Sequence, residues 1–197
     1  MKLIMELLSP VGNFECLKAA VQNGADSVYL GSDLFSARAF ANNFSGKNLE
    51  KAIEYAKTRG VKTYLTLNTL IKDNEIENAF KLAKQAYEYG IDAILVQDLG
   101  LAMKLIREFP DLPIHGSTQM TVHNLNGALE LQDLGFKRVV LARELSINEI
   151  DYICKNTKIE IECFAHGALC ISYSGQCLFS SMLGGRSRKS WKMCPAL

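Results

Sequence analysis

The sequence predicts an α/β protein of the (β/α)8 TIM-barrel-like type, incomplete, with about seven strand–helix units. Short β-branched and apolar runs alternate with helical segments at even spacing along the 197 residues, which is typical of parallel βα units. A doubly wound open sheet is the alternative, but it usually carries a glycine-rich phosphate loop after its first strand. Residues 9–13, Ser-Pro-Val-Gly-Asn, are not such a loop. A complete barrel takes about 250 residues, so the chain is about one unit short.

Seven runs predict strands that are covered by protein on both faces, because they are almost continuously apolar or β-branched. The first run ends at Ser9-Pro10 and the second at Gly31. The predicted strands cover residues 3–8, 27–30, 61–67, 93–96, 114–118, 138–142 and 159–164.

Six amphipathic segments between these strands predict helices. Glycine follows four of them and supplies the left-handed cap that ends a helix. Pro110 ends the fourth helix, and Ser146 is the expected N-cap of the sixth. The predicted helices cover residues 14–23, 48–59, 75–89, 99–109, 124–134 and 147–156.

Composition excludes several classes of protein. Hydrophobic residues make up 48% and charged residues 22%, and 22 basic residues nearly cancel 21 acidic ones to leave a net charge of +1. Disorder as the general state is therefore excluded, and any RNA contact must come from a local patch, since the chain has no basic excess. No apolar stretch approaches the ~18 residues of a membrane span, and the first residues do not form a secretory signal. We expect a cytoplasmic protein with no membrane partner.

Polar residues follow the predicted strands, where the active sites of barrels form. Arg38 lies in the longest irregular loop, over residues 32–47, and loops of that length are often lids or binding loops. Each polar residue could also simply cap a strand or a helix. The candidates for one pocket at this rim are Glu6, Asn68, Gln97, Asp98, Gln119, Arg143, Glu144 and His166, together with Arg38.

Cysteines and histidines divide into structural and functional candidates. Cys16, Cys154 and Cys163 are expected to be small buried hydrophobic residues. Cys170 and Cys177 are separated by six residues in a Gly/Ser-rich loop, which suits a soft metal or an iron–sulfur cluster. His115 is expected inside the barrel, and His123 either contacts a ligand or caps a helix. The best functional candidate among the histidines is His166, four residues before Cys170.

A longer motif contains these two cysteines. Residues 162–170 are Glu-Cys-Phe-Ala-His-Gly-Ala-Leu-Cys, and Gly-Gln-Cys at 175–177 and Ser180 follow. This pattern resembles the hallmark of the peptidase U32 (collagenase-like protease) family, with Phe179 a small departure from it. Residues 6–10, 25–31 and 141–146 also resemble segments of that family.

The resemblance implies a barrel-like N-terminal domain and an oxygen-sensitive [4Fe-4S] cluster held by four cysteines. By position, Cys170 and Cys177 would be the first two ligands. The third would fall near Met193 and Cys194, and the fourth would lie beyond the last residue. We therefore expect the cluster to be absent from this chain, which is expected to be a truncated and inactive fragment of such a protein.

Several relatives in this family are implicated in hydroxylation without molecular oxygen, of tRNA wobble uridine, of ribosomal RNA or of a ubiquinone precursor. RNA hydroxylation is the favoured function, with RNA as the partner and a second U32 subunit as a further partner. A collagenase-like peptidase acting on protein is the first alternative, and quinone-pathway hydroxylation is the second. A peptidase needs a nucleophile beside a base, and Cys170 with His166 is the one local pair. Cluster ligation would consume that thiolate.

The last ten residues depart from the family pattern. After residue 187 the family continues with a Gly-Asn-Arg-Gly-Lys-Cys-Ala-Gln-Pro-Cys-Arg-like run, whereas this chain has Arg-Lys-Ser-Trp-Lys-Met-Cys-Pro-Ala-Leu. One added nucleotide before a plausible coding string for the family run yields these ten residues and then a stop. We therefore expect residues 1–187 to be the truncated barrel domain and 188–197 to be an out-of-frame tail. Resequencing the gene would test this.

Overall fold

A computed structural model of the chain describes residues 5–37, 43–167 and 170–177. Within these residues, seven parallel strands pair in sequential order from β1 to β7. The sheet curls into a half-barrel with helices between successive strands, so the predicted barrel-type fold is confirmed. The strands are β1 Leu8–Val11, β2 Ser27–Gly31, β3 Lys62–Leu67, β4 Ala93–Val96, β5 Ile114–Gly116, β6 Arg138–Val140 and β7 Glu160–Glu162.

The six predicted helices are also present among the described residues, with ends that differ from the prediction by a residue or two. A short 3-10 turn over Thr118–Met120 follows β5. Residue 118, predicted as the end of a strand, begins this turn. The helices are α1 Phe14–Gln22, α2 Lys47–Lys57, α3 Ile76–Glu88, α4 Leu99–Glu108, α5 Leu125–Asp133 and α6 Ile147–Asn156.

The first strand differs most from its prediction. It begins at Leu8, the last residue of the predicted run, and includes Ser9 and Pro10. Pro10 is tolerated because β1 is the edge strand of the described sheet, and an edge strand can leave one backbone position without a donor. This shift moves Glu6 from the expected carboxyl end of β1 to the residues that precede it.

Curvature of the sheet brings distant parts of the chain together. The Arg138 side chain, at the start of β6, donates to both carboxylate oxygens of Glu6, before β1, at 3.1 and 3.0 Å. Such a contact between residues at β1 and β6 of a seven-stranded sheet requires the sheet to close toward a barrel.

Side chains on the strands alternate between two apolar layers, as the period of two requires. The larger layer lies between sheet and helices, and residues such as Leu65 and Ile94 pack there against Leu49 and Leu101. The smaller layer lies inside the curl and consists of Tyr64, Ala93, Leu95 and Val140, with Leu8 and Tyr29 packed against it. Inward positions above and below this small apolar layer are polar, and they are the candidate functional surfaces.

Helix starts at the carboxyl ends of the strands are fixed by side-chain caps. Asn13, Asp98 and Asn124 each accept a backbone N–H of the following first turn, which satisfies donors that a helix start leaves open. Ser146 forms a capping box with Glu149 at the start of α6, so its predicted role as N-cap is confirmed.

The length and apolar character of the described helices show whether any of them could span a membrane. None of them combines the length and the apolar character that crossing a membrane requires.

Candidate functional site

The candidate site lies at the carboxyl ends of the strands and is covered in part by residues 170–177, here called the cysteine segment. Arg143, in the loop after β6, holds this segment with both terminal nitrogens of its guanidinium. Nη1 donates to the carbonyl of Cys170 at 3.0 Å and Nη2 donates to the carbonyl of Ser172 at 2.9 Å. Arg143 therefore fixes the backbone on the side of the segment that carries the first thiol.

Ser174 is the buried anchor of the cysteine segment. Its backbone N–H donates to the Glu144 carboxylate at 2.9 Å, and its Oγ accepts the backbone N–H of Arg143 at 3.1 Å. Burial would raise the pKa of Glu144, but the hydrogen bonds from Ser174 outweigh it and lower that pKa. The carboxylate is therefore charged at neutral pH and available as an acceptor.

Thr121 and Gly175 join the same segment to the loop after β5. Thr121 Oγ1 donates to the Ser174 carbonyl at 2.9 Å. Thr121 has a φ of 58°, which is rare for a β-branched residue and indicates that the surrounding contacts hold it there. Gly175 has a φ of +72°, and a Cβ on it would lie 2.5 Å from the Gln119 carbonyl oxygen. The close approach of these two backbones requires glycine.

The two thiols of the segment are free, with Cys170 exposed and Cys177 half-buried. Their donor chemistry fits two positions of an iron–sulfur or other soft-metal site. Among the described residues, no group of three or more His, Cys, Asp or Glu is arranged to hold a metal ion. In a [4Fe-4S] site, these two thiols would fill two of the four ligand positions.

Uncharged polar side chains from β3 and β5 meet across the mouth of the half-barrel, inside the curl. Asn68, directly after β3, donates from Nδ2 to Ser117 Oγ after β5 at 3.3 Å, and its Oδ1 accepts the backbone N–H of Ala37 at 3.0 Å. Ser36 and Thr66 share a hydrogen bond of 2.9 Å between their hydroxyl oxygens. We call the side chains of Asn68, Gln97, Ser117 and Gln119 the mouth cluster.

Two atoms of the mouth cluster have no hydrogen-bond partner within the described structure. They are the buried Oε1 atoms of Gln97 and Gln119. Gln97 Nε2 donates to the backbone carbonyl of Gln119 at 3.3 Å. Because that carbonyl can only accept, it determines which way the Gln97 amide points and leaves its Oε1 as the open acceptor.

Glu6 does not belong to this rim, and its predicted placement in the pocket is wrong. It lies at the opposite, amino-terminal end of the strands, because β1 begins only at Leu8. There it accepts from Arg138 and from the Tyr64 hydroxyl, the latter at 2.5 Å. Arg138 also binds Glu160 at 2.6 Å and lies 3.6 Å from Glu162.

Several groups in and beside this ionic cluster have strongly shifted pKa values. Burial lowers the pKa of His115 to about 3, and burial raises the pKa of Glu162 to about 7. For Glu6, burial acts to raise the pKa, but hydrogen bonds from Arg138 and Tyr64 more than reverse this and lower it. In barrel enzymes the amino-terminal face contributes to stability and the carboxyl-terminal face carries the active site, so this cluster is expected to stabilise the fold. Sequence reasoning missed this cluster, although charges two residues apart in the seventh strand are a signal for it.

The structure places the other predicted site residues as follows. Asn68, Gln97, Gln119, Arg143 and Glu144 all follow the carboxyl ends of strands, and His166 follows β7 and is exposed. No hydrogen bond within the described part of the chain joins His166 to Cys170. Arg38, Cys194 and residues 188–197 lie outside the described residues. A catalytic or binding role for any of the predicted site residues stays a prediction.

The other cysteines and histidines lie partly where the sequence predicts and partly elsewhere. His115 is buried inside the curl as expected, with its ring 5.0 Å from that of Tyr64, and its Nδ1 has no partner within the described part of the chain. His123 is exposed, and its Nδ1 lies 2.8 Å from the Thr121 carbonyl. The expectation of burial is wrong for Cys16, Cys154 and Cys163, which are all exposed. In α1 and α6 the neighbouring Leu17 and Ile153 take the buried positions, and Cys163 follows the last described strand, which has a partner on one side.

Fold and site together define a β/α half-barrel protein with a cysteine-bearing segment fixed over the carboxyl ends of its strands. The profile of peptidase family U32 matches residues 12–194. The chain belongs to this family. The solved structure of the U32 peptidase Mk0906 shares the fold, with a TM-score of 0.69 at 17% identity over 81% of this chain and 68% of that one.

Similar curated proteins carry two kinds of name. A 23S rRNA 5-hydroxycytidine synthase of Escherichia coli is 42% identical over 93% of this chain and 27% of its own length. The tRNA hydroxylation protein P of Escherichia coli is 38% identical over 92% of this chain and 40% of its own. A collagenase of Porphyromonas gingivalis is 40% identical over 89% of this chain and 44% of its own. The chain thus spans half or less of the length of these relatives.

Proposed function

We propose that this chain is the barrel part of an RNA hydroxylation protein, in which Cys170 and Cys177 are two ligands of a [4Fe-4S] cluster. The observation that carries the proposal is the position of the cysteine segment. Arg143, Ser174 and Gly175 hold it against the loops after β5 and β6, next to the mouth of the barrel, where barrel enzymes bind their substrates.

The residues of this chain have distinct tasks in that proposal. Arg143 and Glu144 position the segment through backbone hydrogen bonds, so the thiols lie beside the mouth while the segment is docked. The uncharged mouth cluster would bind the substrate. When bound, an iron–sulfur cluster supplies electron transfer at this rim.

The names of the relatives support an RNA substrate, since hydroxylation of rRNA and of tRNA is named among them. Both RNAs are cytoplasmic in bacteria, so the proposal includes a cytoplasmic location. A second U32 subunit as partner stays a prediction from the family resemblance.

A collagenase-like peptidase is the second candidate, favoured by the relative of that name. Its chemistry would need Cys170 as nucleophile and His166 as base. Both side chains are exposed, and no hydrogen bond within the described residues aligns the imidazole with the thiol. A thiolate that binds iron is also no longer available as a nucleophile, so the two candidates make opposite demands on Cys170.

Nucleoside mass spectrometry of RNA tests the proposed function. We expect a strain that lacks a full-length version of this protein to lose a 5-hydroxylated pyrimidine from tRNA or rRNA. For the cysteines, residues 1–177 are joined to the rest of the Escherichia coli tRNA hydroxylation protein P and expressed in a strain without that protein. Cys170→Ala and Cys177→Ala should abolish restored hydroxylation and bound iron. Cys16→Ala, at an exposed thiol on α1, is the matched control and should keep both.

Two results would contradict the proposal. One is unchanged hydroxylated nucleosides in the deletion strain together with proteolysis by the purified protein. The other is full iron content in the Cys170→Ala and Cys177→Ala proteins after anaerobic reconstitution.

A further inference from the structure

We propose that the mouth cluster, Asn68, Gln97, Ser117 and Gln119, is the binding site for the pyrimidine base that is to be modified. This inference deepens the proposed function and rests on it. In this proposal the four uncharged side chains recognise the base, and the cysteine segment forms the neighbouring redox site.

The orientation of the cluster follows from the strand alternation. On β3, Tyr64 and Thr66 face the inside of the curl, so Asn68, two residues further on, faces inward as well. On β4, Ala93 and Leu95 face inward, and Gln97 follows them in the same alternation. His115 on β5 contacts the Tyr64 ring inside the curl, which places Ser117 inward as well. The hydrogen bond from Asn68 to Ser117 passes across the position of β4, so these side chains meet inside the mouth.

Unsatisfied groups indicate that the cluster has a ligand. The buried Oε1 atoms of Gln97 and Gln119 lack a partner within the described residues. A buried acceptor without a partner lowers the stability of the fold, and such groups call for an explanation in a native protein. The Gln97 side chain donates to the backbone carbonyl of Gln119, so the two open acceptors belong to residues in direct contact and suit a ligand that donates an N–H group.

The same cluster also offers a donor. Ser117 Oγ accepts from Asn68 Nδ2 and from the backbone N–H of Gln119, both at 3.3 Å. With both acceptor positions in use, the hydroxyl proton of Ser117 points to a third direction and can donate to a ligand carbonyl. A neutral ligand with N–H and carbonyl groups on one edge therefore matches the cluster. Uracil has N3–H between two carbonyls, and cytosine has its 4-amino N–H groups and the O2 carbonyl on either side of N3, and neither base requires a charged partner.

The cysteine segment lies directly above this site. Gly175 packs against the backbone carbonyl of Gln119, the same carbonyl that accepts from Gln97. Because the two Oε1 atoms are shielded from solvent, a base reaches them only when the cover of the mouth opens. The hydrogen bonds of Arg143 and Thr121 to the segment are contacts that such an opening can break and remake.

Binding of nucleotides to the folded chain tests this inference without any need for turnover. The side-chain amide signals of Gln97 and Gln119 are followed by NMR, with each signal assigned by its loss in the Gln→Leu variant. Uridine 5′-monophosphate, cytidine 5′-monophosphate, adenosine 5′-monophosphate, inorganic phosphate and a Gly-Pro-Ala peptide are titrated in turn. We expect the pyrimidine nucleotides to shift both amide signals and phosphate alone to leave them unchanged.

Gln97→Leu should weaken pyrimidine binding about tenfold, because it removes one hydrogen bond and leaves a base N–H unpaired. Gln22→Leu, at an exposed position at the end of α1, is the matched control and should bind as the parent does. Absence of amide shifts with both pyrimidines in a folded chain overturns the inference, as does a shift with the peptide alone. Either of these NMR results would overturn the base-binding site alone. The proposed function is tested separately, by the hydroxylated nucleosides of the deletion strain, so the failure of one proposal can be told from the failure of the other.

Discussion

Gly175→Ala should release the cysteine segment from the rim of the barrel. The new Cβ would lie 2.5 Å from the Gln119 carbonyl oxygen and 2.6 Å from Thr121 Oγ1. These distances are about 1 Å below the ~3.5 Å at which non-bonded atoms attract. The loop that carries Gln119 is held by β5 and by its own turn, so movement of the exposed segment is the least costly way to relieve the overlap.

The destabilisation of the docked segment by Gly175→Ala has two parts, which a matched control variant separates. A left-handed backbone costs an L-residue with a Cβ about 1–2 kcal/mol. Gly60 has a φ of +73°, nearly the +72° of Gly175, but nothing lies within 4 Å of a Cβ placed there. Gly60→Ala therefore carries the backbone cost alone, at a position outside the segment, and Gly175→Ala carries the same cost plus the overlap.

Hydrogen exchange measured by mass spectrometry is the assay. The amide of Ser174 donates to Glu144 and that of Gln176 donates to the Tyr173 carbonyl, so a peptide over residues 170–177 reports opening of the segment. Opening relieves both costs in Gly175→Ala, and we expect exchange there to be at least about tenfold faster than in the parent, since 1.4 kcal/mol corresponds to a factor of ten. Gly60→Ala should leave this peptide unchanged. Equal exchange of the peptide in the two variants would refute the reasoning.

Three further predictions concern stability, each measured by urea unfolding. Arg138→Met should cost about 3–5 kcal/mol, because it leaves the Glu6 carboxylate without its buried partner, whereas Lys104→Met, which breaks a surface ion pair, should cost about 1 kcal/mol or less; equal losses would contradict this. Burial raises the pKa of Glu162 to about 7 from 4.5, so this carboxyl stabilises the fold below pH 4.5 and that contribution is lost as the pH rises to 7. Burial lowers the pKa of His115 from 6.5 to about 3, which gives the opposite slope, so Glu162→Gln should make stability rise more steeply with pH than in the parent between about pH 4.5 and 7, and an unchanged pH profile would show another group to be responsible. Ser146→Ala should cost about 1 kcal/mol through loss of the capping box, with an unchanged midpoint as the opposing result.

Local pattern was enough to predict the order and type of the elements. The predicted helix over 147–156 and the predicted strand over 93–96 match α6 and β4, because hydrophobic period, capping residues and glycine stops act over a few neighbouring residues. The same local rule placed Asn68, Gln97 and Gln119 after the ends of strands, since every parallel strand of a barrel has its carboxyl end on one side.

Tertiary structure alone decided which of these residues meet. The run before Pro10 is as strand-like as β1 itself, so the sequence could not show that Glu6 lies at the amino-terminal end and pairs with Arg138, 132 residues away. That pairing depends on the summed twist and curl of seven strands. In the same way, Gly175 and Ser174 are ordinary loop residues until the segment is docked on Gln119 and Glu144. The sequence by itself determined the elements and the family motif, whereas the closure of the sheet determined the ionic cluster, the mouth cluster and the place of the two cysteines, because contacts over such separations are set by the whole packed sheet and by no local propensity.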